Sequence, residues 1–101
     1  MSRVIDILGG DISVFKDRNE LYGSGYKKHG DVMRSLFPAG LTLKTSEDFG
    51  RFALLDLVVV KLVRYSARFL FPGDGIDSLR DLRTYACMLQ EMDEESKDES
   101  M

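Results

Sequence analysis

The 101-residue sequence predicts an all-α fold: a small helical bundle built on a long central helix and an antiparallel C-terminal helix. Three observations carry that prediction. A helix start at Thr45-Ser46-Glu47-Asp48 opens a stretch that runs to about Leu70 with no proline and a single glycine, Gly50. A sharp reversal follows at Phe71-Pro72-Gly73-Asp74-Gly75. Beyond it Leu79, Leu82, Ala86 and Leu89 recur at spacings of 3, 4 and 3, which is one stripe on an α-helix. A short turn between two long helices makes them antiparallel neighbours.

The elements follow in chain order. Residues 11–21 place Ile12, Phe15 and Leu21 as apolar points in a polar setting, which predicts a short first helix. Gly23 and Gly25, in Tyr22-Gly23-Ser24-Gly25, allow the left-handed turn that ends it. Residues 26–37 predict a second short helix with Val32, Met33, Leu36 and Phe37 inward, stopped by Pro38 and Gly40. The third helix has a hydroxyl cap and acids in its first turn. Over 45–70 it would be about 37 Å long at 1.5 Å per residue. Between positions 53 and 63 it is apolar on nearly every side, as a central helix surrounded by others must be. Val58-Val59-Val60 has the composition of a strand, but the run lies inside a long unbroken helical pattern. In the fourth helix Asp74 or Asp77 is the expected cap.

Residues 1–90 thus read as one helical domain and residues 91–101 as an acidic tail. The tail holds six acids and one base, which leaves a surplus of +2 on the rest of a chain of formal charge −3. So little apolar area cannot offset the entropy of ordering, and the tail is expected to be frayed or disordered. A dedicated duplex-DNA binder would carry a basic surplus, so that class is disfavoured. No apolar run approaches the roughly 18 residues of a membrane span; positions 57–60, between Asp56 and Lys61, hold four in a row. There is no signal-like N-terminal segment, and the expected compartment is a reducing cytoplasm. With Cys87 and His29 the single residues of their kinds, an internal disulfide and a Cys/His zinc cage are excluded.

Two polar ridges face one another across the expected hairpin. Lys61, Arg64 and Arg68 lie on one face of the third helix, and Asp77, Asp81 and Tyr85 on one face of the fourth. Facing bases and acids make either an interhelical ion-pair ladder or a ligand site. In a site the cations take a phosphate, and Asp77 with Asp81 orients them or holds a magnesium ion. Asp56 falls on the apolar side with Phe52, Val59 and Val63, about 100° or more from the basic ridge. A buried carboxylate there needs a partner: a tyrosine hydroxyl, His29 or an N-terminal arginine. The glycine-rich, basic run from Tyr22 to Gly30 is either an ordinary turn or a phosphate cradle, with Tyr22 and Tyr26 able to stack on a base. It is not a P-loop, because it lacks Gly-Lys-Ser/Thr. Cys87, between Ala86 and Met88, reads as a buried structural thiol.

Leu21-Tyr22-Gly23, then Asp56, Lys61 and Arg64, then the run from Asp74 through Asp77 and Asp81 to Tyr85 form an ordered set over roughly residues 20–90. In that order they resemble a phage-associated helical family, the nucleotide modification associated domain 1 family, and related phage domains. The resemblance implies a phage accessory protein in the host cytoplasm that binds a nucleotide or nucleic-acid component. Lys61, Arg64, Asp77, Asp81, Tyr85, Tyr22 and Gly23 would line the site. A different reading is an interaction protein that occupies a host defence or metabolic protein and takes no small ligand. A helical nucleotide pyrophosphohydrolase is the enzymatic alternative, but that class carries its acidic pairs on two separate helices, and here the Glu-x-x-Glu spacing occurs only in the acidic tail, at Glu91 and Glu94. The balance leans against catalysis, and magnesium is the one cofactor the acids suggest. Self-association is expected as well, as a homodimer or higher oligomer. The third helix presents Leu54, Leu57, Val58 and Leu62 beyond what three neighbours cover.

Overall fold

The computed structural model describes residues 3–23 and 25–100, apart from the side chains of 21, 22, 99 and 100. Within these residues the chain is all α, with four helices: α1 (Arg3–Tyr22), α2 (Gly25–Leu36), α3 (Ser46–Ala67) and α4 (Ile76–Ser100). No helix among them is long and apolar enough to cross a membrane.

The α3–α4 hairpin is the frame of the molecule. Thr45 caps α3 as expected, and its hydroxyl accepts from the Asp48 N–H at 3.0 Å. The Asp48 carboxylate returns the favour to the Thr45 N–H at 3.2 Å and reaches the Lys44 N–H at 3.1 Å, which completes a capping box. Three ion pairs set the antiparallel register: Arg51 with Asp93 at 2.6 Å, Lys61 with Asp81 at 3.0 Å and Arg68 with Asp74 at 2.6 Å. As α3 advances, its partners recede along α4 and into the turn. Val59, 3% exposed, and Ser78, 6% exposed, are the most deeply buried side chains among the described residues.

The start of α4 corrects one expectation. Neither Asp74 nor Asp77 caps it, since the first helical bond runs from the Leu79 N–H to the Gly75 carbonyl at 3.1 Å. Asp74 is spent on Arg68 instead. Gly75 is buried, and a Cβ built on it would stand 2.5 Å from Cδ2 of Tyr65, so the ring of α3 occupies the place of a side chain. The reversal itself turns on Gly73 at φ 99°, a conformation costly for any residue with a Cβ.

Three further expectations change. Helix α1 begins at Arg3 rather than near 11 and runs straight through Gly9-Gly10. The residues expected as a disordered tail continue α4 to Ser100, with Gln90 donating to Glu94 one turn on at 2.9 Å and Asp93 held by Arg51. Local side-chain pairs and the interhelical arginine offset the repulsion of the acids there. Cys87 is exposed rather than buried, because it stands roughly 140° around α4 from Leu82, on the side away from α3.

Helix α2 lies against α3, and α1 touches α3 only sparsely. The result is open. The radius of gyration is 17.2 Å, against about 13 Å for a compact chain of this length.

Candidate functional site

The C-terminal half of α1, the start of α2 and the middle of α3 enclose a cleft of about 460 Å³. That is the size of a small-molecule site. Each helix contributes residues at helical spacing. Helix α1 presents Phe15, Arg18 and Asn19; α2 presents Gly25, Tyr26 and His29; α3 presents Asp56, Val60, Val63 and Arg64.

Local structure explains why these groups converge. Gly23 ends α1 in the left-handed region, at φ 67°, with its N–H on the Asn19 carbonyl at 2.8 Å. This glycine cap lets the chain turn at once into α2. Gly25 then brings α2 close to α3: a Cβ there would lie 3.0 Å from Cγ1 of Val63. One turn further, Nε2 of His29 donates to Oδ1 of Asp56 and ties α2 to α3. The His29 side chain is 23% exposed and Asp56 40%, so the pair sits at the wall of the cleft rather than in the core. Nδ1 of the same ring is buried without a hydrogen-bond partner among the described residues. Phe15 meets the edge of Tyr26 at 6.0 Å between centroids, which links α1 to α2, and the Lys27 ammonium lies 5.9 Å from the Tyr26 ring.

Charge follows from the same arrangement. Arg18, Arg64 and His29 line the cleft, Asp56 is the one acid among the described lining residues, and His29 already engages it. Two guanidinium groups beside two aromatic rings suit an anion attached to a flat or apolar body.

Sequence reasoning saw part of this. Of its site residues, Arg64 and Gly23 lie on the cleft. Lys61 points the other way, onto Asp81 of α4, and is 15% exposed there. The split is a matter of helix phase: Lys61 stands about 140° around α3 from Asp56, and Arg64 only about 80°. Asp77 is 94% exposed and lies 3.9 Å from Arg80 on its own helix. Tyr85 is half-buried on α4 away from the cleft. The side chain of Tyr22 falls outside the described residues. No three His, Cys, Asp or Glu side chains gather as a metal-binding group among the described residues, so Asp77 and Asp81 have no third such ligand near them. Phe15 was expected only as an apolar point of a short first helix, an N-terminal arginine only as a partner for Asp56, and Asn19 was not singled out. His29 was named among the partners of Asp56, and the need of that carboxylate for a partner was the signal that pointed at the cleft.

No family model matches the chain, and neither curated proteins nor solved structures provide a match. The site is therefore characterised by its own residues.

Proposed function

We propose that the protein is a binding module for a nucleotide-like ligand, held in the cleft between α1, α2 and α3. The observation that supports this most is the pairing of Arg18 and Arg64 with Phe15 and Tyr26 around one opening, while His29 engages the carboxylate of Asp56. In this reading Arg64 and Arg18 hold the phosphate by charge-assisted hydrogen bonds. Tyr26 and Phe15 cover the base, and Asn19 supplies an amide for its edge. His29 keeps α2 seated on α3: one ring nitrogen faces Asp56 and the other is buried, so neither is presented to a ligand. The binding is thus proposed without catalysis. The phosphate site moves off the hairpin ridge, where Lys61, Arg68 and Asp81 are engaged with one another's helices or the turn.

The test is a thermal-shift series with adenosine monophosphate, adenosine, inorganic phosphate and magnesium chloride. A shift with the monophosphate that exceeds those with phosphate and with adenosine supports a combined anion and aromatic site. Absence of any shift at millimolar ligand would remove the proposal.

A further inference from the structure

Resting on the nucleotide-like reading of the cleft, we infer that its ligand is a ribonucleotide and that Asp56 reads the sugar, its carboxylate accepting from the 2′- and 3′-hydroxyls.

An acid on the wall of an anion site calls for a physical reason. Asp56 is the one carboxylate among the described lining residues, and it shares the cleft with Arg18 and Arg64. A carboxylate repels a phosphate, so it has to face a part of the ligand that donates hydrogen bonds. Seating α2 on α3 uses only one of its oxygens. Oδ1 takes the Nε2–H of His29, while Oδ2 meets no donor among the described residues. An ionised carboxylate only accepts, and it offers about four lone-pair sites, so a single histidine leaves most of its capacity unused. The side chain is 40% exposed and lines the cleft, which opens that capacity to a ligand.

Position along α3 selects the sugar rather than the base. Arg64 stands eight residues beyond Asp56, about 12 Å along the axis at 1.5 Å per residue. Helical side chains lean toward the N-terminus of their helix, a direction that carries the long Arg64 chain toward Asp56. Val60 and Val63 line the cleft between the two and give the carbon face of a sugar an apolar floor. In a 5′-nucleotide the phosphate and the 2′,3′-diol stand at opposite ends of the ribose. Arg64, the valines and Asp56 present their groups in that same order. The base is drawn to the other walls, where Phe15 of α1 and Tyr26 of α2 make their edge contact.

The acceptor is also held in place before a ligand arrives. His29 fixes the carboxylate, so little side-chain freedom is lost when hydroxyls bind to it. A hydrogen bond to a charged group is stronger than one between neutral groups, and losing one hydroxyl should cost about tenfold in affinity.

Calorimetric titration of wild type and Asp56→Asn with adenosine 5′-monophosphate, its 2′-deoxy analogue and inosine 5′-monophosphate tests this. Wild type is expected to bind the ribo form about tenfold more tightly than the deoxy form. Asp56→Asn keeps an oxygen for the His29 N–H and turns the other atom into a donor. In that variant the ribo-to-deoxy ratio should fall close to one. The ratio cancels the altered field on the phosphate, which both ligands feel alike. The adenosine-to-inosine ratio should stay the same in both proteins, because the base does not rest on Asp56. Equal binding of the ribo and deoxy forms by wild type, a comparison that needs no variant, would overturn the ribose assignment and leave the cleft as the site. So would an undiminished ratio in Asp56→Asn, or an adenosine-to-inosine ratio that moves with the substitution. Failure of wild type to bind any of the three nucleotides would remove the cleft reading itself and the ribose assignment with it.

Discussion

His29 on α2 donates through Nε2 to the Asp56 carboxylate on α3, across 27 positions of sequence. This contact and the Gly25–Val63 approach seat the second helix, and the cleft exists because both are made. Replacing either partner strands the other. Since both side chains are partly exposed, the cost is moderate, about 1 kcal/mol for each single change. His29→Ala and Asp56→Ala together should cost clearly less than the two singles added, and a denaturant double-mutant cycle reads that coupling. Strict additivity would show that the pair does not hold the helices.

Lys61 and Asp81 belong to the hairpin. Lys61→Met retains the stem and removes the charge, so a loss of about 0.5–1 kcal/mol in thermal or chemical unfolding is expected. The same variant should leave ligand binding unchanged, because Lys61 is not on the cleft. A folded Lys61→Met protein with abolished nucleotide stabilisation would return the site to the hairpin ridge.

Gly75→Ala places a methyl group 2.5 Å from the Tyr65 ring, against the body of the side chain rather than its tip. A destabilisation of about 1–3 kcal/mol is expected from the forced repacking. Tyr65→Ala in the same chain should recover part of the effect of the glycine change. A neutral Gly75→Ala would mean that the turn does not press on α3.

The α3 cap makes a pH prediction. Backbone N–H groups of Lys44 and Thr45 hold the Asp48 carboxyl below its usual range. A carboxyl depressed in the folded state stabilises fully above its unfolded value, near pH 4, and loses that contribution as pH falls through the folded value. Acid unfolding of Asp48→Asn should therefore lack this component, while Thr45→Ala should cost about 1 kcal/mol at neutral pH by removing the hydroxyl acceptor. Identical acid-unfolding profiles for wild type and Asp48→Asn would contradict the capping role.

Why some of this was legible in sequence and some was not has a physical basis. The start of α3 was readable because a capping box is local: Thr45 and Asp48 satisfy each other's backbone within four residues. The start of α4 was misread because its cap depends on tertiary contacts, with Asp74 drawn away by Arg68 and Tyr65 filling the space over Gly75. Cys87 was misjudged by its sequence neighbours, which on a helix lie about 100° away and say little about burial. The basic ridge was legible, but which of its cations would face α4 was not. Lys61 and Arg64 differ by about 60° around α3, enough to send one to Asp81 and the other to the cleft. The cleft itself combines Arg18, His29, Asp56 and Arg64 from three helices, and no spacing rule links positions so far apart.

The most direct measurement is a calorimetric titration of adenosine monophosphate into wild type, Arg64→Met and Lys61→Met, each verified as folded by circular dichroism. These two side chains are one turn apart on α3 and differ in which face they serve. If the cleft is the site, Arg64→Met loses about tenfold or more in affinity, some 1.4 kcal/mol, while Lys61→Met binds as wild type. Equal binding by all three proteins, or loss confined to Lys61→Met, would contradict it.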